Sequence, residues 1–100
     1  MDGADGRQRL DKFLFFARAI KSRTLAQKAI EAGAVRVNSR RVTDSDHKVA
    51  AGDVLTMTIH DRVTIWRIRA TGTRRGPASE AQALYEDISP PRAGSGPAIL

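Results

Sequence analysis

Nine side chains able to hold an anion fall within twenty residues near the start of the chain: Arg9, Lys12, Arg18, Lys21, Ser22, Arg23, Thr24, Gln27 and Lys28. Phosphate recognition needs charge for the group and directional hydroxyl, amide or guanidinium donors for its oxygens, all presented from rigid backbone. One exposed Lys or Arg is ordinarily a solvated residue, so the signal is their concentration around the short joint Lys21-Ser22-Arg23-Thr24. The wider count agrees. Residues 7–48 hold eleven Lys or Arg against four acids, residues 1–6 hold two acids, and residues 49–100 hold six cations against five acids. A net charge of +6 gathered in one half of a 100-residue chain points to a polyanionic partner.

The elements that must position these groups can be read from periodicity. Apolar residues at 10, 13, 14, 17 and 20 mark one face of a helix, uninterrupted by Gly or Pro, with Lys12 and Arg18 on opposite margins of the apolar arc. Phe15 projects from the opposite, polar side. Ser22 is a candidate N-cap for a second helix, and Thr24 with Gln27 forms a competing capping box. The second helix is expected to bury Leu25, Ala26, Ala29, Ile30 and Ala32, to leave Lys21 and Arg23 exposed at its start, and to stop at Gly33. The exposed N–H groups of its first turn add to the anion-attracting field.

Val35 and Val37 then alternate with Arg36 and Asn38 as a strand, Asn38-Ser39 turns the chain, and Arg40 to Val42 run back. Leu55, Met57 and Ile59 alternate with Thr56, Thr58 and His60, the clearest strand pattern in the chain, and Asp61-Arg62 turns it into a second strand over residues 63–70. The adjacent apolar pair Ile65-Trp66 predicts a bulge or a strand covered on both faces. Pro77, Ala81, Leu84, Tyr85 and Ile88 share a helical stripe, which predicts a third helix docking on the domain. Phe15 is expected to pack beneath that helix rather than to stack on bases. The fold class is therefore α+β: a helical hairpin packed on a small, mostly antiparallel twisted sheet, with an additional C-terminal strand and helix.

Other chemistries find no support in the pattern. There is no cysteine, which removes disulfides, thiolate metal sites and thiol nucleophiles. His47 and His60 lack a neighbouring ligand or nucleophile, Asp44 and Asp46 lack a third carboxylate, and no Gly-rich phosphate loop is present. No catalytic residue, metal site or cofactor is expected. No apolar run approaches the ~20 residues of a membrane span, and the start lacks a secretory layout, so a cytoplasmic protein with no membrane partner is expected.

The segments RLDKFL, KSRTLAQKAIEAGAVRVN and VAAGDVLTM resemble the small RNA-binding domain of ribosomal protein S-four, also called the alpha-L motif, over residues 9–60. The run VTIWRIRATGTRRGPASEAQALYED resembles the heat shock protein 15 family, in which that domain is followed by a further strand and helix. The resemblance implies an RNA surface made of Arg9, Lys12, Lys21, Ser22, Arg23, Thr24, Gln27 and Lys28, to which it adds Arg36, Asn38 and Arg40 on the following strand pair. It also implies binding to ribosomal RNA of the large ribosomal subunit, including subunits left with a nascent peptidyl-tRNA, and a part in their recycling within the heat shock response.

Two departures from the family pattern stand out. Asn38-Ser39 replaces the usual Asn-Gly, which disfavours a turn with positive φ at both positions and with it the placement of Arg40. The Lys- and Arg-rich extension of longer members is replaced by a tail whose one cation is Arg92. The expected organisation is a disordered 1–8, an RNA-binding domain over 9–60, a strand and helix extension over 61–88 and a flexible 89–100, in a monomer. Transfer RNA or DNA as partner, a targeting module of an RNA-modifying enzyme such as a pseudouridine synthase, and an acidic protein partner stay open as alternatives.

Overall fold

The computed structural model describes residues 6–59 and 61–89. The element order is β1 (Arg7–Arg9), α1 (Leu10–Phe16), α2 (Arg23–Glu31), β2 (Val35–Val37), β3 (Arg40–Arg41), β4 (Lys48–Ala50), β5 (Val54–Ile59), β6 (Arg62–Ile68), α3 (Ala78–Gln82) and β7 (Tyr85–Asp87). The five-stranded sheet runs β3-β2-β5-β6-β7, and β1 pairs with β4 in a separate two-stranded ribbon. Every strand pair is antiparallel. The fold is the expected α+β type.

Packing follows the apolar pattern. Leu10, Phe13, Leu14 and Ala17 of the first helical segment, Ala26 and Ile30 of α2, and Val35, Leu55, Met57 and Ile68 of the sheet are all buried in one cluster. Large-to-small changes among them, such as Phe13→Ala, would cost about 3–5 kcal/mol. The alternation in β5 and β6 is continuous in register from Val54↔Arg67 to Ile59↔Arg62, so Ile65-Trp66 is not a bulge. Nor are both faces of β6 covered there: Trp66 is buried and stacks on Tyr85 with ring centres 3.5 Å apart, whereas Ile65, on the other face between exposed Val63 and Arg67, is half-buried, its N–H donating to Ser89 Oγ at 2.8 Å.

Three expectations are corrected. The first helix ends at Phe16 rather than near Ile20, because Arg18 adopts φ 61°. Its N–H donates to Phe15 O and that of Ala19 to Leu14 O, at 3.1 and 2.9 Å, the paired closing bonds of a Schellman terminus. The same two bonds close α2, from Gly33 to Ile30 O and from Ala34 to Ala29 O, with Gly33 at φ 83°. A glycine announces the second stop in the sequence, whereas nothing announces the first.

The segment 1–8 expected to be disordered contributes a strand: Arg7–Arg9 pair with Lys48–Ala50, and Gln8 is 3% exposed. Residues 1–5 lie outside the described residues, as do 90–100 of the expected flexible tail. The third helix is only the five residues Ala78–Gln82, with Pro77 as its N-cap. Beyond it the chain extends and adds Tyr85–Asp87 to the edge of the sheet, because Tyr85 packs flat on Trp66 rather than continuing a helical stripe.

A connector over residues 71–76 links β6 to α3 and is strapped to β1. The Gln8 side-chain amide donates to Gly72 O at 2.7 Å and accepts from Gly72 N–H at 3.2 Å. At Gly72 an added Cβ would stand 3.0 Å from Leu84 Cδ1 and 3.1 Å from Phe16 Cβ. Phe16 is therefore the aromatic packed against the core beneath Gly72, while Phe15 lies under Arg75 of the connector rather than under the third helix.

Candidate nucleic-acid interface

The candidate side chains are organised by an acid. Asp11, in the first turn of α1, is fully buried, and its carboxylate accepts five hydrogen bonds. Arg9 Nε and Nη2 donate to its two oxygens at 3.1 and 3.0 Å, and the Lys12 N–H donates at 2.8 Å. From α2, Arg23 Nη2 donates at 3.3 Å and Gln27 Nε2 at 2.9 Å. Burial alone would push this carboxyl up. The hydrogen bonds from Arg9, Gln27 and Arg23, with the Arg9 charge, outweigh burial and hold it below its ordinary value. Asp11 thus pins the start of α1 to the first two turns of α2 and fixes three candidate side chains in one array.

In the sequence Asp11 registers only as one negative charge in a basic segment. The signal was its position: on a helix wheel it lies about 60° from Leu14, at the edge of the apolar arc, where an acid between Arg9 and Lys12 is drawn inward. Its presence corrects the expectation for Arg23, whose side chain is 40% exposed and ion-paired to Asp11 rather than free. It also explains why Gln27 turns inward instead of closing a capping box with Thr24. Ser22 is the cap, its Oγ accepting from the Leu25 N–H at 3.1 Å.

The remaining predicted residues fall into distinct groups. Lys21, Thr24 and Lys28 are exposed at the start and outer side of α2. Arg18, exposed beyond the end of α1, donates from Nε to Gly76 O at 2.7 Å and so belongs to the connector rather than to the Asp11 array. Arg36, Asn38 and Arg40 lie on the β2–β3 hairpin. Asn38 and Ser39 take φ 51° and 73°, so the turn with positive φ at both positions forms without the glycine.

Asn38 itself secures that turn. Its Oδ1 accepts from Val54 N–H at 2.9 Å and its Nδ2 donates to Asp53 Oδ1 at 3.1 Å. Arg36 stands opposite Arg41 and Val37 opposite Arg40. A like-charge pair directly across a ladder opposes pairing, and both arginines are exposed. Arg41, absent from the predicted interface, joins Asn38, Arg40, Asp44 and His47 around a groove of about 540 Å³.

Two backbone bonds connect this hairpin groove to the Asp11 array: Leu10 N–H to His47 O at 2.8 Å and Asp11 N–H to Ser45 O at 3.2 Å. The loop that lines the groove therefore also caps the start of α1. Rigid guanidinium and amide groups flanked by exposed lysines can engage several phosphates at once. Asp11 spends part of that charge, and what it adds is placement.

Comparisons with known proteins agree with the architecture. Residues 8–55 match the S4 domain family. Heat shock protein 15 of Escherichia coli K12 is 38% identical over 81 residues, covering 81% of this chain and 60% of the relative. The Haemophilus influenzae homolog is 36% identical over 84 residues, covering 84% of this chain and 63% of the relative. The chain thus spans about three fifths of the length of these curated relatives. A Vibrio cholerae heat shock protein 15 structure, described as trimeric, superposes with a TM-score of 0.78 at 32% identity, covering 83% of each chain. No helix among the described residues is long and apolar enough to cross a membrane. With an S4 domain at its front and this likeness continuing through the strand, connector and short helix behind it, the chain belongs to the heat shock protein 15 family.

Proposed function

We propose that this chain is a non-catalytic binder of structured ribosomal RNA, acting on the large ribosomal subunit and in the recycling of subunits that carry a stalled nascent peptidyl-tRNA. The observation that carries the reading is the array on Asp11, which holds Arg9, Arg23 and Gln27 in one geometry among exposed Lys21 and Lys28. The S4 match and the family membership support RNA binding. The twelve residues Arg9, Lys12, Arg18, Lys21, Ser22, Arg23, Thr24, Gln27, Lys28, Arg36, Asn38 and Arg40 form the proposed interface. Within it, Ser22 and Asn38 act through the backbone they secure, and Arg18 acts beside the connector. Recognition rests on phosphate and shape contacts, because an A-form duplex hides its base edges in a deep major groove. A ribosomal partner places the protein in the cytoplasm.

Co-sedimentation with purified subunits tests this. The expected result is association with large subunits, enriched when peptidyl-tRNA is retained. With about five phosphates neutralised, log affinity should fall against log salt with a slope of roughly −3.5 to −4.5. Equal association with both subunits, equal competition by duplex DNA, or a flat salt response refutes the reading. The expected monomer gains no support from the neighbouring structure, which is described as trimeric; sedimentation equilibrium of this chain measures its state.

A further inference from the structure

Next to the joint, the end of α1, one flank of α2, β5 and the connector enclose a depression of about 450 Å³. Its floor is apolar, with Ile20, Leu25 and Ala29; its rim is Arg18, Lys21 and Arg75; among the described residues no carboxylate lines it. Leu25 is 45% exposed although the sequence pattern assigns it to the core. The Arg75 guanidinium lies 5.1 Å above the centre of the Phe15 ring, and Arg18 is held by Gly76 O. Two of the three rim cations are therefore positioned by an aromatic ring and a carbonyl, and among the described residues no acid pairs with either at the depression.

An aliphatic floor beneath a cationic rim matches the chemistry of a nucleotide, whose base lies flat on apolar or guanidinium surface while its phosphate takes the charge. Around α2, the exposed Thr24 and Lys28 separate Leu25 from Arg23 and Gln27. A duplex resting on the outer side of that helix passes beside the depression, and a base within its stack does not enter it, whereas an unpaired base does.

Building on the RNA-binding reading above, we propose that this depression receives one unpaired nucleotide of the bound RNA. The base packs on Leu25 against the face of Arg75 not covered by Phe15, and the phosphate lies between Arg18 and Lys21. Leu25 and Arg75 thereby become specificity-determining residues for a bulge or loop in an otherwise paired target.

The test uses the full chain and RNA hairpins of one stem sequence, either fully paired or carrying a single uridine or adenosine bulge, titrated by fluorescence anisotropy at one salt concentration. The wild-type protein should favour a bulged hairpin by about ten-fold. Leu25→Ser and Arg75→Lys, neither of which changes charge, should each reduce that preference below about two-fold while leaving the affinity for the paired hairpin and the thermal midpoint unchanged. Equal wild-type affinity for all three hairpins overturns the subsite and leaves RNA binding standing. Binding to none of them overturns both. A lower assembly mass for Leu25→Ser in sedimentation velocity overturns the proposal in favour of a second copy of the chain on this face.

Discussion

Replacing Asp11 by Asn keeps the size of the side chain and removes its charge, which sets two effects against each other. Asn retains one acceptor oxygen and turns an amide toward donors, so two or three of the five hydrogen bonds are lost, according to which oxygen is replaced. Stripping one partner from a fully buried ion pair costs about 3–5 kcal/mol. Here Arg9 and Arg23 are 33% and 40% exposed and regain water, so a loss of about 2 kcal/mol is expected. For a domain of this size that is a fall of roughly 8–16 °C in the thermal midpoint.

The pH dependence follows from the direction of the shift. The folded carboxyl sits below its ordinary value of 3.8, so its contribution is fully present well above that value and fades as pH falls through the folded-state value. The gap between wild type and Asp11→Asn should be constant from pH 7 to 5 and should close below about pH 3.8. For RNA, charge alone predicts tighter binding, since the variant is one unit more positive. Placement predicts the reverse, a loss of about five-fold at low temperature as Arg9, Arg23 and Gln27 lose their common anchor. Melts across pH, and anisotropy titrations well below both midpoints, measure the two. An unchanged midpoint, or tighter binding by the variant, would refute the role assigned to Asp11.

Charge reversals at the joint should separate its two cations, Lys21 and Arg23. Lys21→Glu should weaken RNA binding with the melt unchanged, while Arg23→Glu, which sets a second carboxylate against Asp11, should lower both; equal midpoints would refute the pairing. Ser22→Ala removes the cap of α2 and should cost about 1 kcal/mol, or roughly 4–8 °C, in a thermal melt. Gly72→Ala forces a methyl between Leu84 and Phe16 and should destabilise by about 1–3 kcal/mol, read as an earlier denaturation midpoint with unchanged slope.

The legible parts of the chain were those where one residue type has one local use. Gly33 stopped a helix, Ser22 capped one, and the alternation of Leu55 and Met57 made a strand. The parts that escaped depend on pairing between distant segments. Arg18 takes a glycine's place because Gly76 holds its side chain. Residues 7–9 become a strand because residues 48–50 offer an edge. Tyr85 leaves a helical stripe for the face of Trp66. Asp11 is the same case within the site: an acid in a basic segment lowers the charge count, and only the approach of two helices turns it into the group that arranges the cations.

The amide pair between Gln8 and Gly72 spans 64 residues and bears on how the chain is completed. Until the connector arrives, the carboxamide of Gln8 cannot be both buried and satisfied, a mismatch of about 1–3 kcal/mol. The first strand therefore cannot be fully secured while synthesis is still short of residue 72. A closure of such long range slows folding and makes the domain boundary thermodynamic rather than sequential. A fragment cut after the fifth strand carries the whole matched S4 segment, yet it leaves Gln8 without the residue that clasps it.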